Sequence, residues 1–331
     1  MTIKFWTSAR YKPYAKFALF TFLLSFIVIL LGAYTRLTDA GLSCPDWPRC
    51  YGFIAAPQTA AQLERAMSKF PNMPVNIHKA WTEMVHRYFA GTLGLLVLIL
   101  STILLLSRKT KHPKTKLIAC GLLLLLGLQI WLGMQTVTAK LMPLIVVSHL
   151  VTGLSLLSLL WLIYLDLSWN EIYIRRSLNP PSPFFLWFGL LILSIQIGLG
   201  GWVSSHYAGL ACIDFPYCNG QLFPKIEWKH LQTHLISIHM LHRIGAIITG
   251  AYLIFLAYLL RSHQAFRGTA IVLISLVMLQ ILLGVLNILW LRPVWVALAH
   301  HATAILLLLT LIAAIVKTKI MTEYRYDTLF T

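Results

Sequence analysis

Residues 32–52 read GAYTRLTDAGLSCPDWPRCYG, and residues 200–220 read GGWVSSHYAGLACIDFPYCNG. Nine of the 21 aligned positions are identical: Gly32/Gly200, Ala40/Ala208, Gly41/Gly209, Leu42/Leu210, Cys44/Cys212, Asp46/Asp214, Pro48/Pro216, Cys50/Cys218 and Gly52/Gly220. Chance with average residue usage gives about one or two. The likeness continues outward. His86-Arg87 aligns with His242-Arg243, LQIWLG (128–133) with LQILLG (279–284), and Ser148-His149 with Ala299-His300. The chain is therefore an internal duplication.

Each copy follows a long apolar run, and composition says where such runs belong. Of 331 residues, 58% are hydrophobic and 11% charged, against about 25% charged in a soluble domain. A helix needs about 20 apolar residues to cross a bilayer. Eight stretches reach that length, near 14–35, 80–107, 115–137, 144–166, 184–204, 233–260, 268–290 and 294–316. Backbone polar groups in lipid must be paired internally, so the runs are helices. The predicted fold class is an all-α polytopic membrane protein, its eight transmembrane helices arranged as two pseudo-symmetric four-helix bundles. Four spans per half is an even number, which makes this a parallel repeat. The predicted division is an amino-terminal half at 1–166, a cytoplasmic linker at 167–183, a carboxy-terminal half at 184–316 and a cytoplasmic tail at 317–331. The first span is too long for a signal-peptide core and reads as an uncleaved helix.

The net charge of +17 sets orientation rather than marking a nucleic-acid partner. Basic residues crowd the amino terminus (Lys4, Arg10, Lys12), the 108–116 loop (Arg108, Lys109, Lys111, Lys114, Lys116), Arg175–Arg176, Arg261 with Arg267, and Lys317 with Lys319. The positive-inside rule places these, and both termini, in the cytoplasm. Loops 36–79 and 205–232 then face outward, the periplasmic side of a cell inner membrane. The former is basic too, but long loops cross largely regardless of charge. Cys44, Cys50, Cys212 and Cys218 all fall in these two loops, which fits two same-loop disulfides outside the reducing cytoplasm. Free thiols or a zinc site are the alternatives. Cys120 lies in a span and reads as a buried apolar filler.

Four of the twelve histidines are related by the repeat: His86, His149, His242 and His300. They sit on the even-numbered spans, roughly 5–12 Å below the outer edge at about 1.5 Å per residue. Two imidazoles facing each other across a bundle can ligate a porphyrin iron from both sides. Gly91, Gly94, Gly245 and Gly250 would leave room for a flat ring, and Arg87 and Arg243 could pair with haem propionates. His301 adjoins His300, but the repeat aligns His300 with His149. Glu83, three residues before His86 and therefore on its face, corresponds to His239 in the second half. It is a candidate proton acceptor or, alternatively, one side of an ion pair with Arg87 or Lys79.

These residues carry a resemblance. Glu83-Met-Val-His86-Arg87 matches an E-x-x-H-R motif. With GAYTRLTDAGLSCPDWP, the three further histidines and the paired-cysteine loops, the chain resembles the haem A synthase family over about residues 14–316. The resemblance implies oxidation of the C8 methyl of haem O to a formyl group, giving haem A for terminal oxidase assembly. It implies that His86 and His149 bind the substrate haem O, that His242 and His300 hold a haem b cofactor, and that Glu83 serves catalysis. Cys44–Cys50 and Cys212–Cys218 would be the family's disulfides. Iron would be held through haem only. Expected partners are haem O synthase, oxidase assembly factors, an electron acceptor and further copies of the chain, with no nucleic acid.

Two rival readings compete. A di-haem cytochrome b that only passes electrons would show the same four histidines, but the one-sided Glu83 favours an enzyme. A di-iron membrane hydroxylase is suggested by His230-x₃-His234, His239-x₂-His242 and His300-His301. Such sites favour clustered carboxylate and histidine ligands, whereas the repeat-related four are spread evenly. A transporter is disfavoured because the repeat is parallel and no span is broken.

Overall fold

The structure, a computed structural model, describes residues 12–106, 113–168 and 180–329. Its helices are α1 (Lys12–Leu37), α2 (Ala60–Lys69), α3 (Ile77–Leu106), α4 (Pro113–Thr138), α5 (Pro143–Ser168), α6 (Pro183–Ser205), α7 (Leu235–Arg261), α8 (Arg267–Leu289) and α9 (Val294–Leu329). All but α2 are long and apolar enough to cross a membrane. The protein is an all-α polytopic membrane protein, and each expected span is present. The amino-terminal basic residues Lys4 and Arg10, the loop residues Arg108, Lys109 and Lys111, and Arg175–Arg176 of the linker lie outside the described residues.

Helix α6 shows how apolar composition becomes two distinct faces. Leu186, Gly189, Leu193 and Ile197 are buried, while Phe184, Trp187, Leu191 and Ile195 are exposed. Both sets recur every three to four residues, as opposite stripes of one helix do. An outward stripe this greasy has lipid as its solvent. Helix α4 corrects one sequence expectation. Cys120 is exposed, because it shares the outer face of α4 with Leu117 and Leu124, and i, i+3, i+7 spacing keeps those three side by side.

Two sequence boundaries shift. Helix α9 runs on to Leu329, well past the apolar limit near 316. Lys317, close to that limit, donates to the Ala265 carbonyl and lies over the Phe266 ring at 4.9 Å. The outer loop contains α2, whose start is fixed by a capping box: Thr59 accepts from the Gln62 amide while the Gln62 side chain accepts from the Thr59 amide.

The chain divides into two compact units, Phe20–Leu159 and Leu160–Thr331 with Met1–Leu19. In the first, α3 packs on α4, α1 meets α3 where Gly32 faces His86, and α4 meets α5 where Gly121 faces Leu159 and Gly133 faces His149. In the second, α6 packs on α7 and α9, α7 on α8, and α8 on α9, closing a four-helix ring. Corresponding turns in the two units share their backbone form. Lys140-Leu141 and Leu291-Arg292 are consecutive left-handed residues at the α4–α5 and α8–α9 corners. Leu141 packs on Gly41, and Arg292 on Gly209.

Candidate functional site

The two outer loops are built alike. Cys44–Cys50 and Cys212–Cys218 are disulfide-bonded, and all four cysteines are buried. This removes the free-thiol and zinc alternatives. In each loop an aspartate caps the turn that follows. Asp46 accepts from the Gly52 amide at 2.8 Å, and Asp214 from the Asn219 and Gly220 amides at 2.7 and 2.8 Å. Those bonds hold the Asp214 carboxyl below the usual aspartate range. Gly52 and Gly220 have φ of +83° and +79°, where a side chain would be strained.

Beneath each loop, one turn of helix does three jobs. On α3, buried Glu83 accepts from the Cys44 amide at 2.9 Å and is ion-paired with Arg87. The Arg87 guanidinium also donates to the carbonyls of Asp46, Pro48 and Arg49. On α7, buried His239 takes the place of Glu83, its Nδ1 accepting from the Cys212 amide at 3.3 Å. Arg243 donates to the carbonyls of Asp214, Pro216 and Tyr217 and lies over the Phe215 ring. Both arginines are thus engaged with the loops above them, and Glu83 with a loop and a cation together.

His86 and His242 sit within the same two turns. All four repeat-related imidazoles are half-buried. His86 and His149 lie within electrostatic reach of each other, as do His242 and His300. Each ring presents Cε1 to a glycine on the preceding apolar span: His86 to Gly32, His149 to Gly133, His242 to Gly200 and His300 to Gly284. A Cβ built on those glycines would stand only 2.9, 3.2, 3.1 and 3.3 Å from the ring. Three rings also meet a glutamine amide. Gln129 is 3.4 Å from His149 Nε2, Gln280 is 3.2 Å from His300 Nε2, and Gln196 is 2.9 Å from His242 Nδ1. The Nδ1 atoms of His86, His149 and His300 are buried without a hydrogen-bond partner.

Of the glycines expected to leave space, Gly91 is open around its Cα, Gly94 and Gly250 face Leu126 and Ile281, and Gly245 is filled by Gln196. His301 is also half-buried, with its Nε2 lacking a partner. His234 caps α7, accepting from the Ser237 amide at 3.3 Å. Among the described residues, no three His, Cys, Asp or Glu side chains converge as a metal cluster, which leaves the di-iron reading without its ligand set.

The glycine notches and glutamines were not singled out by sequence reasoning, although their signal was present. Gln129 and Gly133 lie four apart in LQIWLG, as Gln280 and Gly284 do in LQILLG, and Gly32/Gly200 is an identity of the repeat.

Paired imidazoles, three with a buried Nδ1 lacking a partner, have the donor chemistry of axial haem ligands. The profile of the cytochrome oxidase assembly protein family matches residues 15–312. A protein of Shewanella oneidensis described as heme A synthase is 44% identical over 310 residues, covering 88% of this chain and 92% of its own. The chain belongs to the haem A synthase family. Other members are more distant. The heme A synthase of Flavobacterium psychrophilum is 30% identical over 320 residues, covering 87% of this chain and 92% of its own. That of Neorickettsia sennetsu is 28% identical over 311 residues, covering 86% and 93%. Family members of this kind are oxidoreductases, and their chemistry is that of haem.

Proposed function

We propose that this protein oxidises the C8 methyl of haem O to a formyl group, yielding haem A for terminal oxidase assembly. The observation that carries the reading is the likeness to a heme A synthase along nearly the whole of both chains. The paired imidazoles support it. His86 and His149 would bind the substrate haem in the first half, and His242 and His300 would hold a haem b cofactor in the second. The halves are those predicted from the repeat, 1–166 and 184–316, joined by a cytoplasmic linker.

Taking a methyl to an aldehyde removes four electrons and adds one oxygen atom from water or dioxygen, and a bound haem would supply redox chemistry for passing those electrons to the acceptor. The chain's own residues do the rest. The glycine notches let the four rings sit flush against neighbouring helices. The exposed apolar stripes let a farnesylated substrate approach from lipid. Glu83, buried within one turn of His86, accepts a proton on its carboxylate oxygens, while Arg87 and the Cys44 amide keep that carboxylate in place. The second half has His239 at the corresponding point, so the acid is confined to the half assigned to substrate. Arg87 and Arg243 order the disulfide loops and would reach propionates only by exchanging loop carbonyls. The protein resides in the cell inner membrane with both termini cytoplasmic and the disulfide loops periplasmic, a reading supported by the basic short loops and the oxidised cysteines. Haem O synthase, assembly factors, an electron acceptor and further copies of the chain are the partners this role calls for.

The test is conversion of haem O to haem A by membranes bearing the protein, with Glu83→Gln alongside. The parent converts. The variant keeps its haem and loses conversion by about 100-fold or more, the usual scale for removing a general base. A parent that binds haem but never converts it would be an electron-transfer cytochrome. A variant that converts at the parental rate would remove Glu83 from the chemistry.

A further inference from the structure

Three of the four notch glycines follow a glutamine by four residues: Gln129–Gly133, Gln196–Gly200 and Gln280–Gly284. Four residues is one helical turn, so glutamine and glycine form one surface against the ring. The fourth notch breaks the pattern, because four residues before Gly32 stands Val28. We propose that Gln129, Gln196 and Gln280 are positioning residues that hold His149, His242 and His300, and that Val28 leaves His86 the one imidazole built to yield. The proposal rests on the haem-binding reading above and adds to it a division between retained and releasable ligands.

The glutamines are placed by more than proximity. Thr152 donates to Gln129 Oε1 at 2.6 Å, which turns the amide nitrogen toward His149. Gln196 Nε2 donates to the His242 backbone carbonyl at 2.9 Å and lies 2.9 Å from the ring Nδ1. Its slot depends on Gly245, where any Cβ would collide with Gln196 Oε1. The carbonyl oxygens of Gln196 and Gln280 are buried without partners. An amide can donate to a bare ring nitrogen or accept from a ring N–H, so these side chains can serve a ring in either state. Val28 can do neither. His86 hydrogen-bonds the Val28 backbone carbonyl, where the other three rings meet a side-chain amide. The residue matching Gly245, three beyond the imidazole, is Phe89. The His86 position therefore lacks both the amide and the slot for it.

The arrangement suits the two tasks. A substrate site must release its haem every turnover, and one weakly held axial ligand suffices. A cofactor site must not, and there both rings carry an amide.

Haem loss to excess apomyoglobin, followed in the Soret region, tests this. His242→Ala/His300→Ala confines haem to the first half, and His86→Ala/His149→Ala confines it to the second. In the first background, Val28→Gln/Phe89→Gly slows haem loss on the order of fivefold, the scale of one added hydrogen bond, while Phe89→Gly alone does not. In the second background, Gln196→Val, which removes atoms rather than adding them, speeds loss by a similar factor and alters the low-spin electron paramagnetic resonance signal. Unchanged loss in either arm overturns the proposal. Absence of haem from the unmutated protein would instead overturn the functional reading on which it rests.

Discussion

Replacing Gly32 with alanine puts a methyl carbon 2.9 Å from His86 Cε1. Carbon atoms settle near 3.5–4.0 Å, so the ring must retreat by about 0.6 Å or more. The ring is carried by α3, whose same turn is fastened to the outer loop through Glu83 and Arg87, so retreat is resisted. Overpacking of this kind costs about 1–3 kcal/mol. Alanine recovers about 0.5–1 kcal/mol of helix preference over glycine. Gly32→Ala is therefore expected to be net destabilising by up to about 2.5 kcal/mol. At Gly284 the contact is 3.3 Å, and the two effects nearly cancel. Gly127, with nothing within 4 Å of its Cβ position, should gain stability. Thermal unfolding in detergent, with haem content from the Soret band, checks the series. The expected order of stability is Gly127→Ala, then Gly284→Ala, then Gly32→Ala, with haem lost from the His86 site in the last. If Gly32→Ala matches Gly127→Ala in both readouts, the notch does not position the ring.

Two further outcomes follow from the loops. Arg87→Ala strands a buried carboxylate as well as three carbonyls, and should cost about 3–5 kcal/mol. Arg243→Ala strands carbonyls only and should cost about 1–3 kcal/mol, so denaturation midpoints should fall further for the first. Tyr51 is buried, donates to the Pro74 carbonyl at 3.3 Å, and has its phenol raised above the usual 10.0 by burial, then by Glu83 and Asp46. A raised folded value means its stabilisation is full below the ordinary tyrosine value and disappears as pH rises through the folded one. Ultraviolet titration should show a late phenol component that is diminished in Tyr51→Phe, and that variant should lose part of the alkaline decline in unfolding temperature.

The eight spans were legible because apolar length alone decides what crosses a bilayer, and the repeat was legible because its loops keep their cysteines, aspartates and glycines. Helix α2 escaped notice: ten residues, half of them polar, carry no length signal, and only Thr59 and Gln62 announce it. The engagement of Arg87 and Arg243 was hidden for another reason. A guanidinium bonds whatever carbonyls the chain brings past it, and those belong to residues roughly 30–40 positions earlier. Cys120 was misjudged because a uniformly apolar helix gives no sequence cue to which stripe faces lipid. The histidines themselves were visible through the repeat, but their glycine seats were not, since a glycine in an apolar helix looks the same whether or not a ring rests against it.

On α3 the carboxylate that steadies the Cys44 amide, the imidazole seated on Gly32 and the guanidinium that gathers the loop carbonyls are all borne by five consecutive residues. Such a segment behaves as a rigid crank. Any tilt of the upper helix swings the disulfide loop and the His86 ring together, so a molecule nudging that loop would be felt at the ring without any relay of intervening side chains.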